Sequence, residues 1–128
     1  MKRILFAFAL ILFTVSIASA QEEKKAIIAV EGETVYDFGD IKVSDGPVTH
    51  VFTIKNEGNS PLTMTNATAS CGCTKPEYTE APIAPGKTGE LKVTYSPSGS
   101  GPVTKTISVY SNGKAGTFVL SIKANITN

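Results

Sequence analysis

The sequence predicts an all-β protein, a β-sandwich of about seven short strands that follows a cleaved export signal. Three observations carry this. After Gln21 apolar residues recur with a period of two, and no stretch of ten or more residues places them at helical spacing. Clusters of Gly, Pro, Asn, Asp and Ser return about every ten residues, the turn spacing of a sandwich. The first twenty residues have the composition of an address rather than of a fold.

That address has three parts. Lys2 and Arg3 precede an uncharged, mostly apolar run from Ile4 to Ile17, and Ala18-Ser19-Ala20 closes it. A positive start, a short apolar run and small residues before the cut define a secretory signal. The run is shorter than the roughly 20 residues of a membrane-spanning helix. Gln21-Glu22-Glu23-Lys24-Lys25 is a polar exit, and no cysteine follows the cut to take a lipid anchor. The expectation is a signal at residues 1–20 and one domain at 21–128, periplasmic or secreted, with no stable membrane span after cleavage. Loss of Lys2 and Arg3 takes the formal charge from +1 to −1 in a mature chain of 108 residues. This balance lacks the basic surface of a nucleic-acid binder. About 100 residues suffice for one modest core.

The strands follow in order. Ala26 to Val30 is β-rich, and Val35 to Phe38 runs into Gly39 and Asp40. From Val48 to Asn56, Val48, His50, Phe52 and Ile54 share a face, with Phe52 and Ile54 inward. Glu57-Gly58-Asn59-Ser60-Pro61 is a turn. Leu62 to Ala69 is a strand with Leu62 and Met64 inward, and an inward Ala67 breaks the alternation, which implies a bulge near Asn66. Cys71 to Thr88 reads as a long connection containing Pro76, Pro82 and Pro85, with Pro85-Gly86 suited to a type II turn. Leu91, Val93 and Tyr95 face inward on the next strand. Ser96 to Pro102 reads as a loop. Ile107 and Val109 share a face of Thr104–Tyr110, and Asn112-Gly113 predicts a type I′ hairpin. Phe118, Leu120, Ile122 and Ala124 line the last strand. A small β-barrel is the alternative architecture.

Ser70-Cys71-Gly72-Cys73-Thr74 is the unusual chemical feature. In an extended strand Cα atoms two residues apart lie about 6.5–7 Å apart, the outer limit for a disulfide, and a glycine turn would shorten this. Four readings stand side by side. The pair forms a small, easily reduced disulfide. It binds Cu(I), which favours thiolate and thioether ligands, with His50 or Met64 as third ligand. It exchanges disulfides, although only Lys75 is a nearby cation. Or the cysteines pack as small hydrophobes. Other candidates are weaker. His50, the lone histidine, suits a strand rim. Asp37, Asp40 and Asp45 lack calcium-loop spacing. Asn66-Ala67-Thr68 and Asn125-Ile126-Thr127 fit the glycosylation pattern. No phosphate loop, nucleophile elbow or dinucleotide fingerprint is present.

Several segments carry a resemblance. Val35-Tyr36-Asp37-Phe38-Gly39-Asp40-Ile41 opens the series. Phe52-Thr53-Ile54-Lys55-Asn56-Glu57-Gly58 and Pro61-Leu62 follow, then Ser70-Cys71-Gly72-Cys73-Thr74. Ile83-Ala84-Pro85-Gly86-Lys87-Thr88-Gly89 and Val93-Thr94-Tyr95-Ser96-Pro97 complete it. In this order they resemble the bacterial exported family DUF1573, a domain of unknown function, from about Thr34 to Asn125. Cys-Gly-Cys is the most distinctive segment, and Phe38, Gly39, Asn56, Gly58, Pro85 and Gly86 are further motif residues. Tyr36 stands where the family often has another aromatic or phenylalanine. The family is similar to Hydin-like and major-sperm-protein-like immunoglobulin folds. This implies an immunoglobulin-like sandwich acting as an interaction module, with no catalytic residue to carry over. In a bacterial protein the glycosylation patterns are chance matches. The resemblance also implies that Cys71 and Cys73 matter as a pair, as a disulfide or a metal site. The expectation is a non-enzymatic module without cofactor. It would contact another envelope or secreted protein through sheet edges, end loops or the loop from Cys73 to Ile83. The alternative is a thiol protein in which Cys71 and Cys73 bind copper or exchange disulfides.

Overall fold

Alternating burial along each strand stacks two sheets face to face in the computed structural model, which describes residues 24–114 and 116–127. The expected export signal lies outside the described residues. Eight strands are present among them. They are β1 (Ile28–Val30), β2 (Val35–Lys42), β3 (Val48–Asn56), β4 (Met64–Ala69), β5 (Thr74–Tyr78), β6 (Thr88–Tyr95), β7 (Gly101–Ser111) and β8 (Thr117–Thr127). One sheet has the order β1-β3-β6-β5 and the other β2-β8-β7-β4. β2 pairs with β8 in parallel, and every other pairing is antiparallel. The sheets stay open, so the barrel alternative is excluded.

The core lies between the sheets. Phe52, Ile54, Leu91, Val93 and Tyr95 enter from one side, and Ile107, Val109, Leu120, Ile122, Ala124 and Ile126 from the other. Full burial of such aliphatic side chains stabilises by about 1.5–3 kcal/mol each. These are the inward faces that period-two alternation predicts. The expected bulge is also present, as a register shift between Met64 and Asn66.

Four expectations need correction. The count is eight strands, because β5 occupies part of the expected long connection. Pro76 argued against a strand there, since proline cannot donate to a ladder. β5 is an edge strand. Its odd residues bond to β6, as Ser96 N–H donating to Cys73 O (2.8 Å) and Thr79 N–H donating to Glu90 O (3.0 Å) show. Position 76 therefore turns its missing donor outward. Leu62 lies ahead of β4 and pairs instead with Ile83 in an isolated bridge, through bonds of 2.9 and 2.7 Å. β7 begins at Gly101, inside the expected loop. Asn112-Gly113 does not form a type I′ turn, because no non-glycine residue has positive φ among the described residues. Asn112 instead clasps the chain before β4. Its Oδ1 accepts from Thr63 N–H (2.8 Å) and its Nδ2 donates to Pro61 O (3.1 Å). The reversal comes later, at Gly116 with φ +71°.

Asn56 closes one end of the sandwich. Its side chain is fully buried. Nδ2 donates to Ser60 O (2.7 Å) and Ile83 O (2.9 Å), while Oδ1 accepts from Gly58 N–H (2.9 Å) and Ile27 N–H (3.4 Å). Its main chain grips the Pro85-Gly86 turn, donating to Lys87 O (3.0 Å) and accepting from Gly86 N–H (2.8 Å). That turn has the expected type II features, with Lys87 N–H donating to Ala84 O (2.9 Å) and Gly86 at φ +77°. Gly58 lies directly under the strand entering β1. A Cβ there would collide with Lys25 O and come within 2.7 Å of Ile27 N and 2.9 Å of Ala26 Cα.

Asn56→Ala leaves buried carbonyls and amides without partners, each costing about 1–3 kcal/mol. Urea unfolding of this variant is expected to show a loss of about 2–4 kcal/mol. Gly58→Ala is expected to be comparably damaging. Gly72→Ala, whose Cβ would meet nothing within 4 Å, is expected to stay within about 0.5 kcal/mol of the wild type.

Candidate functional site

The motif residues separate into two ends of the sandwich. Asn56, Gly58, Pro85 and Gly86 meet in the clamp just described. The Cys-Gly-Cys segment lies at the other end, where the row Val48–Tyr95–Thr74 crosses the first sheet. There the chain leaves β4 in one sheet and enters β5 in the other. Phe38 and Gly39 belong to β2. Phe38 is half-buried against the core, and Gly39 adopts φ +72° within a register shift between Asp37 and Asp40.

Cys71 and Cys73 are joined by a disulfide, with their Cα atoms 5.3 Å apart. A turn brings them closer than extended backbone would. Thr74 N–H donates to Cys71 O (3.2 Å), with Gly72 and Cys73 in the central positions. Cys73 N–H points at Cys71 Sγ, 3.0 Å away. Both cysteines are half-buried and Gly72 is exposed. The turn is anchored without the sulfurs: Ser96 N–H donates to Cys73 O (2.8 Å), Ser70 N–H to Thr106 O (2.9 Å) and Thr106 N–H to Ser70 Oγ (3.2 Å).

The third ligands that the copper alternative would need do not join the pair. Met64 is buried at the start of β4, seven residues and roughly 20 Å along the chain from Cys71. His50 faces another way. Its ring lies flat on Tyr36 (centroids 3.6 Å, interplanar angle 7°) and meets Phe52 edge-on (4.6 Å, 87°). Tyr36 in turn meets Phe38 edge-on at 4.9 Å. Among the described residues no three of His, Cys, Asp or Glu gather as a metal site. The aspartates serve the backbone and strand pairing: Asp37 Oδ1 accepts from Gly39 N–H, Asp45 Oδ2 from Lys42 N–H and Asp40 Oδ1 from Asn125 Nδ2.

The second feature is the outer edge of β3. Even-numbered residues there bond toward β6, as the Asn56 bonds to Gly86 and Lys87 show, and odd-numbered ones toward β1. β1 ends at Val30, and Glu31 N–H donates the last bond, to Thr53 O (2.9 Å). Thr49 and Val51 therefore point their main-chain groups past the end of β1, and among the described residues β1 and β6 are the strands that pair with β3. Beside them runs a groove lined by Glu31, Glu33, Val35, Tyr36, His50 and Val51. Val35, Tyr36 and Val51 are exposed. This edge and the Tyr36–His50 stack escape sequence reasoning, because both depend on where β1 stops and β2 changes sheet. The short Ile28–Val30 run before Glu31-Gly32 is the only hint.

Two four-stranded sheets packed face to face, with β1 and β2 in different sheets and a parallel β2–β8 pair, define an immunoglobulin-like β-sandwich. The chain belongs to the family DUF1573, described as a protein of unknown function, whose model matches residues 28–126. No curated protein matches the sequence. The fold is similar to a protein of unknown function from Porphyromonas gingivalis W83, at 20% identity and TM-score 0.70, over 86% of this chain and 51% of that one. It is also similar to the ASH/PapD-like domain 7 of human CEP192, at 7% identity and TM-score 0.65, over 88% and 93%. A third likeness is to the YadV chaperone, at 14% identity and TM-score 0.57, over 79% and 52%. The chain thus spans about half the length of the first and third of these. No described helix is long and apolar enough to cross a membrane.

Burial lowers the pKa of His50 below the ordinary value of 6.5. The unfolded chain therefore binds a proton more readily than the folded one. The neutral imidazole's contribution is complete above pH 6.5 and is lost as pH falls through the folded pKa. Thermal melts between pH 7.5 and 5 are expected to show a fall in Tm that His50→Phe reduces. An equal fall in the variant contradicts this.

Proposed function

We propose that this domain is an exported, non-catalytic interaction module that binds an extended segment of another envelope or secreted protein as an added strand on β3. The observation that carries this is the outward main-chain groups of Thr49 and Val51 beside a groove that the exposed Val35, Tyr36 and Val51 share with Glu31 and Glu33. Strand addition draws affinity from main-chain hydrogen bonds and specificity from side-chain pockets. Val35, Tyr36 and Val51 suit an apolar side chain of the guest. Glu31 and Glu33 suit a lysine or arginine beside it.

The edges at β5, β2 and β4 are blunted, as natural sheets blunt edges against unwanted pairing. Pro76 removes a donor from the outer side of β5. The bulge at Asp37–Asp40 interrupts β2, and β4 carries its own bulge. Tyr78 Oη also donates to Thr65 O (2.9 Å), occupying an acceptor of β4. The segment from Cys73 to Ile83 is a weaker surface for a guest, because β5 pairs part of it with β6. The chaperone and PapD-like domain among the structural relatives support a polypeptide-binding role. Neither metal nor cofactor enters this function.

Val51→Pro tests the surface. Its N–H lies on the open side, so proline spares the β3–β6 ladder and blocks an incoming strand. The mature protein with a photo-crosslinking side chain at Thr49 is expected to capture a defined envelope partner. Adding Val51→Pro is expected to reduce that capture at least about tenfold while the circular dichroism is retained. Equal capture by the folded variant contradicts strand addition. N-terminal sequencing of the protein from the cell envelope is expected to begin at Gln21, and a chain retaining Met1 contradicts export by signal cleavage.

A further inference from the structure

We propose that Cys71 and Cys73 form a redox-active disulfide that oxidises dithiols, with Cys73 Sγ as the atom attacked and Cys71 as the leaving thiolate. A disulfide stabilises chiefly by closing a long loop in the unfolded chain. Here one residue separates the partners. The crossing from β4 to β5 is already held by main-chain and serine bonds on both sides of the turn. Opening the S–S bond removes none of these. The fold can therefore tolerate both redox states, which a cycling disulfide requires and a structural one does not.

Access and polarity complete the argument. Gly72, between the two cysteines, is exposed and has no side chain to shield the bond, while both cysteines are half-buried and Cys73 also packs against the core. The amide of Cys73 is aimed at Cys71 Sγ at 3.0 Å. An N–H donor stabilises a thiolate more than it stabilises a disulfide sulfur, and exchange is faster when the departing sulfur is the better leaving group. Among the described residues, Cys73 Sγ has the hydroxyl of Thr74, at 3.8 Å, as its hydrogen-bond partner. Cys71 is therefore the favoured leaving group.

In the first step a substrate thiolate forms an S–S bond to Cys73 Sγ. The Cys71–Cys73 bond breaks, and its electron pair leaves on Cys71, which takes up a proton. In the second step the other substrate thiol, as its thiolate, attacks the substrate's own sulfur in the mixed disulfide. Cys73 leaves as a thiolate and is protonated. The substrate dithiol is oxidised by two electrons to a disulfide, the cysteine pair is reduced by two, and the two thiol protons end on Cys71 and Cys73. The substrate class is a dithiol, on a polypeptide or a small molecule.

The test uses the mature folded protein. Millimolar dithiothreitol without denaturant is expected to open the disulfide within minutes and to be oxidised in equal amount. Far-ultraviolet circular dichroism is expected to persist, with Tm shifted by no more than about 4 °C. A peptide with a single cysteine is expected to form an adduct that tandem mass spectrometry places on Cys73, with the alkylating label on Cys71. A Cys71→Ser, Cys73→Ser double variant is expected to melt within the same interval and to oxidise no dithiol. A disulfide that opens only on unfolding, a reduced protein that unfolds, or an adduct mainly on Cys71 overturns the proposal.

Discussion

Asn56 is a polar residue on the inner face of β3, where strand alternation calls for an apolar side chain. Burying an amide without partners is costly, and here every donor and acceptor of the side chain is used. Four segments converge on it: the entry to β1, the turn after β3, the chain bridging Leu62 to Ile83, and the Pro85-Gly86 turn. Three of the four are loops with little apolar surface to hold them. The amide therefore does for one end of the sandwich what aliphatic packing does for its middle. Gly58 is part of the same device, because the β1 entry crosses it at main-chain contact distance.

This clamp frees the rest of the molecule from structural duty. With one end closed by the amide network and the centre filled by interdigitating aliphatics, the opposite end can carry a turn with an exposed glycine and a disulfide that spans almost nothing. The outer edge of β3 can likewise end unpaired above Val51. The His50 ring, stacked on Tyr36 and edge-on to Phe52, lines the groove beside that edge.

Much of this fold was legible in the sequence. Phe52, Ile54, Leu91, Val93, Tyr95, Leu120 and Ile122 alternate cleanly because each strand has one buried face. The Pro85-Gly86 turn and the bulge near Asn66 could be read from local chemistry. The failures have physical causes. Pro76 hides an edge strand, because proline's missing donor matters only on the bonded side. Asn112-Gly113 carries the strongest hairpin signal, yet Asn112 forms bonds to Pro61 and Thr63 that a two-residue turn would forfeit. The Cys-Gly-Cys segment was visible as a local site, while the Cys73 amide that distinguishes its two sulfurs depends on the folded turn. The uncovered length of β3 is set by where β1 stops, which no local pattern states.

The Asn56 clamp holds the fold independently of the cysteine turn. Native-state hydrogen exchange of the oxidised and dithiothreitol-reduced protein measures it directly. The amides of Gly58, Gly86 and Leu62, and those of the β7–β8 ladder, are expected to exchange equally slowly in both states. Changes are expected only around residues 71–74 and Ser96. Loss of protection at the clamp or across the central ladders on reduction would contradict the account, because the disulfide would then be holding the fold.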